Sequence, residues 1–450
     1  MVNRWRKWLW ERAALMLNNE HALSLRTNLM KGLPLWIASI ITGLLAIIYT
    51  LLFGIAESAF HSLHTWKPVS VLIITPLSFA GAYLMVYYFA PYAKGSGIPQ
   101  VMAVLETDRK KNGPHIDELL SIRVIITKIF SSLLMIQGGG AVGREGPTIQ
   151  IASSIFRTVD KLVPASWPKV SSQNYIITGA AAGLAAAFNT PLGGIVFAME
   201  ELAKIHIRFF RSSLFVAVII AGLTAQGILG SYLYLGYPLV AGTGFVLFLA
   251  VGAVGALAGA AGAGMSKLIL WIRAKKSGFN FSKNLLFAFG SGCVVALIGY
   301  FFTDAIFGSG KDLMNGVLFS DNKTVDVSTA AARVAGTVIS FNSGAAGGVF
   351  APSLAAGAAV GGLFSGLFEY TAGNANVLIL CGMVAFLTGV TQTPFTSAIL
   401  VLEMTDRHGV IFHLMFAALM ANIAAVMIQK HSLYEILKGE FLVTPVKGER

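Results

Sequence analysis

The sequence predicts an all-α polytopic membrane protein made of two inverted-topology repeats of tilted and broken helices. Three observations predict it: too little charge for a water-soluble chain, uncharged runs as long as a bilayer is thick, and motifs that recur in the same order in both halves. Of 450 residues, 55% are hydrophobic and 12% are charged, and mean hydropathy is +0.71. Soluble domains carry about a quarter charged residues, so lipid is the expected solvent.

Taken in order, residues 1–32 read as a cytoplasmic interfacial segment, because "NRWRKWLWER" mixes Arg and Lys with three Trp, the composition of a helix lying among headgroups. No short apolar core followed by small residues comes after it, so no signal peptide is expected. Residues 33–235 form the first transmembrane repeat, 236–430 the second, and 431–450 a short cytoplasmic C-terminal segment. The uncharged runs Leu33–Phe53, Val71–Ala93, Val170–Met199, Asn284–Thr303, Tyr370–Leu402 and His408–Gln429 each reach the roughly 20 residues a helix needs to cross hydrocarbon. Ser212–Ser266 is uncharged over 55 residues and holds at least two passes, turning near Gly236-Tyr237-Pro238. A β-barrel would show short alternating strands instead.

The net charge of +12 does not mark a nucleic-acid surface. Basic residues cluster at Arg4–Arg12, Arg109–Lys111, Lys204–Arg211, Lys267–Lys283 and Lys430–Arg450, where the uncharged runs stop, as the positive-inside rule requires of cytoplasmic loops. Both termini are then cytoplasmic. Cys293 and Cys381 lie in separate apolar runs and form neither a disulfide framework nor a metal site. "GSGKDL" at 308–313 lacks the first Gly and the Ser/Thr of a phosphate loop. No metal, cofactor or catalytic constellation is expected.

The halves echo each other. "GSGIPQ" from Gly95 returns as "GSGKDL" from Gly308, "GGAVGREGP" from Gly139 as "GAAGGVFAP" from Gly344, and "NTPLGGIVFAMEE" from Asn189 as "QTPFTSAILVLEM" from Gln392. Such duplication is typical of ion and solute transporters. Pro147 and Pro352 each follow glycines and open a helix, Pro being favoured at the first helical position. Irregular backbone inside a membrane is tolerated only in protein or beside a watery cavity, so these loops aim free amides and the positive ends of helix dipoles at one spot. With little fixed positive charge nearby, that spot suits a small anion that must bind and also leave.

At these residues the chain resembles the CLC family of chloride channels and proton/chloride exchangers. "GSGIP" (95–99), "GREGP" (143–147) and "GGVFAP" (347–352) look like its three anion-site signatures, in the right order. The resemblance implies a homodimer with a separate pore in each subunit and two inverted halves per subunit. By the same resemblance, Ser96 supplies a hydroxyl to the central chloride, Val349 and Phe350 supply backbone amides, and Tyr434 in "HSLYEIL" is the coordinating tyrosine. Gly146 and Arg144 complete the chloride set, Arg144 by raising the local positive potential. Glu145 matches the gating glutamate, whose carboxylate occupies an anion position and swings away when protonated. Glu201 in "FAMEEL" matches the internal proton station of exchangers, the alternative being a solvated helix end in which Glu200 and Glu201 pair with Lys204 and Arg208.

The expected function is therefore antiport of chloride against protons, with a passive voltage- or pH-gated chloride channel as the alternative and a non-transporting scaffold as a third. Chloride is bound as substrate, and no cofactor is implied. Chloride, protons, the lipid bilayer and a second copy of the chain are the expected partners, without nucleic acid. The short tail beyond the last apolar run lacks the family's paired regulatory domain, which points to a prokaryotic inner membrane. Lys128 reads as a cation snorkelling to the cytoplasmic surface, with a longer-range contribution to the anion field as the alternative. Ala346 stands where the family more often has Pro, which implies a less rigid loop. "GALAGAAGAG" (255–264) is a close-packed helix contact, internal or between subunits.

Overall fold

Helices carry nearly all of the ordered backbone, because apolar chain in lipid must satisfy its peptide groups internally. The computed structural model describes residues 20–107, 109–202, 212–230, 233–241, 244–367 and 371–442. Among these lie eighteen α-helices and no strands. The first half contains α1 (Glu20–Trp66), α2 (Val71–Phe89), α3 (Ile98–Glu106), α4 (Arg109–Leu119), α5 (Ile122–Gln137), α6 (Glu145–Leu162), α7 (Ser172–Phe188), α8 (Pro191–Phe197) and α9 (Ser212–Leu229). The second contains α10 (Phe245–Lys275), α11 (Phe281–Phe301), α12 (Lys311–Phe319), α13 (Val327–Asn342), α14 (Phe350–Gly366), α15 (Ala372–Thr391), α16 (Pro394–Thr405), α17 (Ile411–Ile428) and α18 (Leu433–Leu442). Seven helical segments among the described residues are long and apolar enough to cross a membrane.

Two of the uncharged runs long enough to span are broken pairs of helices. Val170–Met199 becomes α7 and α8, separated at Asn189 with φ of 58°, and Tyr370–Leu402 becomes α15 and α16, separated at Gln392 with φ of 55°. The cause is in the sequence: Thr-Pro follows each, and proline both lacks an N–H and pushes its predecessor out of the helical region. Pro147 and Pro352 sit at the third helical position rather than the first, since α6 starts at Glu145 and α14 at Phe350. That position also lacks an intrahelical acceptor.

The expected boundary at residue 32 falls inside the continuous α1, and the expected tail from 431 contains α18, which packs on α3. The turn at Gly236, φ 67°, lies between α9 and α10 as expected. The Trp-rich start, Lys204 and Arg208 lie outside the described residues. Basic clusters that are described meet at one end: Glu440 on α18 binds Arg273 at the end of α10 and Lys94 before α3, and Lys438 binds Glu106. The small-residue stretch of α10 is an internal contact. Added methyls at Gly255 and Gly259 would strike Ala417 and Ala421 of α17, and one at Gly262 would strike the Phe386 carbonyl of α15.

The halves are related by a pseudo-two-fold exchange. Glu403 of α16 accepts the Leu192 amide at the start of α8 at 3.1 Å and the Gly193 amide at 2.6 Å. In return, Glu200 accepts the Phe395 amide at the start of α16 at 3.2 Å and the Thr396 amide at 2.7 Å. The residues involved differ by the same sequence offset, so each half caps a helix of the other, as at any isologous contact. Buried α15, apolar all round, forms the centre of the second half against α10, α14 and α17.

Candidate anion-binding site

Short backbone ties gather the three glycine loops. Gly95 donates to Ala345 O at 2.8 Å and accepts from Gly347 at 3.1 Å, while Gly143 and Gly348 exchange bonds of 2.8 and 2.7 Å. The turn before α3 requires φ of 63° at Gly95 and 100° at Gly97, a region that disfavours side chains. The Pro-to-Ala change at 346 does not leave this loop loose. Ala346 uses its amide, which proline would lack, to bind Ser131 Oγ at 3.1 Å, and Ser131 donates onward to Ala82 O at 2.9 Å.

Helices α6 and α14 therefore start side by side. Their first intrahelical bonds run from Thr148 to Arg144 O and from Ser353 to Val349 O, so the amides of Glu145, Gly146, Phe350 and Ala351 have no partner within their helices. Ser96 lies so close over Gly146 that a methyl there would overlap its Oγ and sit 3.1 Å from its carbonyl. The Tyr434 ring stacks on Phe350 at 6.1 Å and 12°, and its hydroxyl faces Ser96. Ser96 Oγ and Tyr434 Oη are buried and find no hydrogen-bond partner among protein groups. Two orphaned hydroxyls beside the amides that open α6 and α14 form a donor set fitted to an anion.

Glu145 is 1% exposed. Its carboxylate bends over Gly143 and meets the amides of Glu145 itself and Ala351, so an acidic side chain sits on the start of α14. The Ala351 amide stands outside the set expected from the sequence, although the offset between the repeats places it opposite Gly146.

Glu201 is 2% exposed, inside a π-helical turn at Ala198–Leu202. That turn sends neighbouring carboxylates apart: Glu201 goes inward, while Glu200 caps α16 and also accepts the Thr396 hydroxyl at 2.7 Å. A solvated helix end with both acids outward is thus corrected for these two residues. Aromatic rings link the region of Glu201 to the loops, Phe197 and Phe188 packing on Phe350 at 6.2 and 6.4 Å.

Arg144 makes no hydrogen bond to Ser96 or Tyr434. Its guanidinium lies 6.0 Å from the Tyr234 ring, which also carries the Lys311 ammonium at 4.8 Å. Both cations line a cavity of about 550 Å³ beside residues 50–58 of α1. They give the approach to the loops a positive wall, a long-range attraction for anions. Lys128 does not snorkel. It is fully buried and donates to Gly95 O at 3.0 Å, because the loop carbonyl offers the ammonium a partner the apolar interior otherwise denies it. In the second half Arg333, equally buried, donates to Gly308 O at 3.1 Å, so one cation holds each Gly-Ser-Gly loop. There the Ser309 amide is bound by the Glu57 carboxylate at 2.7 Å.

The family model described as voltage gated chloride channel matches residues 77–426. The fold is similar to that of a slow cyanobacterial Cl−/H+ antiporter, with a TM-score of 0.78 at 24% identity over 92% of this chain and 98% of that one. A eukaryotic CLC transporter aligns with a TM-score of 0.73 at 21% identity, over 91% of this chain and 74% of that chain. A CLC-type fluoride/proton antiporter gives 0.72 at 17% identity, over 93% and 98%. With the signature loops gathered, the repeats paired and the family model spanning most of its length, this chain is an integral membrane protein of the CLC voltage-gated chloride channel family.

Proposed function

We propose that the protein is a secondary active antiporter exchanging chloride for protons, with Ser96, Tyr434 and the amides at the starts of α6 and α14 as its anion site. The observation that carries the proposal is the Glu145 carboxylate lying on the Ala351 amide. A carboxylate and a halide compete for the same amides with the same charge. Protonating Glu145 removes its attraction to them and frees the position. The anion then fills the vacated position, and the protonated acid has carried its proton away from the amides. Partial charges contribute about 0.3–2 kcal/mol each, enough to hold an ion and little enough to release it.

Burial of Glu201 supports its reading as the second proton station, because an acid inside an apolar bundle is a functional candidate by default. The proposed setting is a homodimer in a prokaryotic inner membrane with both termini cytoplasmic. The test is reconstitution. In vesicles, a chloride gradient is expected to drive protons uphill, and Glu201→Ala to abolish that pumping while chloride still passes. Protons that stay at equilibrium in the unsubstituted protein would refute exchange and leave the passive channel.

A further inference from the structure

A cavity of about 860 Å³ opens between the ends of α2, α10 and α18, with Lys94 and Gly344, at the edges of the glycine loops, in its lining. Its floor holds three cations, Lys94, Arg273 and Lys276, against one carboxylate, Glu440. Glu440 is taken up by Arg273, whose Nη2 donates at 2.9 Å, and by Lys94 at 3.2 Å. Lys276 donates to the Asn342 carbonyl and lies 4.1 Å from the Phe287 ring centroid. Burial first, then the charges of Arg273 and Lys94, push its ammonium down to about 8; three cations against one carboxylate leave a surplus that Glu440 does not neutralise.

Two further features specify what matches that surplus. Asn342 is 2% exposed and lines the cavity, and its Oδ1 has no donor while its Nδ2 is bound to Val338 O at 2.9 Å. It therefore leaves one buried acceptor without a donor at the cavity. The lining also carries an apolar part, made by Tyr83, Val86 and Leu270, and includes the exposed rings of Phe279 and of Tyr87, tyrosine being a residue type that marks a membrane–water interface.

We propose that this cavity binds an anionic phospholipid with a hydroxyl-bearing headgroup, such as a phosphatidylglycerol. The phosphodiester sits between Lys94 and Lys276, a headgroup hydroxyl donates to Asn342 Oδ1, and an acyl chain lies along the apolar wall. A free phosphate has the charge but nothing for that wall. A zwitterionic lipid has the chain, but its own cation opposes the lysines. The proposal does not rest on the transport reading, and its readout is bound lipid rather than flux.

Native mass spectrometry of the full chain in neutral detergent tests it, with phosphatidylglycerol, phosphatidic acid and phosphatidylcholine of matched chains added in turn. The expected result is one phosphatidylglycerol per chain, retained at least about tenfold more strongly than phosphatidylcholine and more strongly than phosphatidic acid. Lys94→Gln with Lys276→Gln is expected to remove that preference, whereas Lys267→Gln with Lys275→Gln, an equal loss of charge on exposed α10 positions, is expected to keep it. Equal retention of all lipids by the unsubstituted protein overturns the site, and this arm needs no variant to fold. Displacement of phosphatidylglycerol by excess inorganic phosphate overturns the lipid as occupant. Retention of the preference by the first double variant overturns the assigned lysines.

Discussion

Gly146→Ala tests whether Ser96 coordinates the transported anion. An added methyl would overlap Ser96 Oγ and stand 3.1 Å from the Ser96 carbonyl, which is itself fixed in the tied loop. The hydroxyl must rotate or the loop must move, and either takes one charge-assisted donor off the anion. Such a hydrogen bond is worth about 1.5–3 kcal/mol, so chloride affinity is expected to fall roughly 10- to 150-fold. Helix propensity acts in the opposite direction, since Ala in place of Gly favours a helix by up to about 1 kcal/mol, so a loss of affinity would not reflect a weakened α6. Titration calorimetry with chloride on the purified protein measures the effect. Gly290→Ala on α11 is the control, because nothing lies within 4 Å of the added methyl there. A Gly146→Ala protein that folds and keeps chloride affinity within about twofold would refute the assignment of Ser96.

Substitutions at three further positions have defined outcomes. Glu145→Gln removes the competing charge, so vesicle flux assays should find chloride transport without its pH dependence and no coupled protons; surviving proton transport would exclude this carboxylate as carrier. Arg333→Met strips donors from the carbonyls of Ala305, Phe307 and Gly308, costing about 3 kcal/mol or more in detergent unfolding, and Arg333→Lys should recover only part, since an ammonium lacks the planar fork. At Glu440, burial pushes the carboxyl up, but the charges and hydrogen bonds of Arg273 and Lys94 together outweigh it and hold it below the ordinary glutamate value of 4.5. Its contribution to docking α18 is therefore present above that pH and is lost as pH falls through the lower folded value. Hydrogen exchange of α18 should rise steeply with acid after correction for intrinsic rates, and Glu440→Gln should flatten that rise.

Most of the fold was legible because lipid imposes a simple rule, long uncharged runs, and because the motif offsets exposed the duplication. The helix breaks at Asn189 and Gln392 were equally written in the chain, as Thr-Pro inside a run, but hydropathy averages over them. The anion loops were readable from Gly and Pro alone. What escaped were contacts between positions distant in sequence: the burial of Lys128 under the Gly95 carbonyl, the Ala346 amide on Ser131, and the divergent aims of Glu200 and Glu201. A side chain's direction depends on a local π-helical turn and on partners some two hundred residues away, and neither leaves a trace in composition or spacing.

The exchanged carboxylates also bear on how such a chain matures. The amides opening α8 wait for Glu403, 210 and 211 residues downstream, which has not been synthesised when the first half enters the bilayer. Until then those amides need water or a substitute acceptor, so the first half inserts as an incomplete body. Final closure comes after translation of the second half, and an isolated half expressed alone should stay open at that seam until its counterpart is supplied on a separate chain.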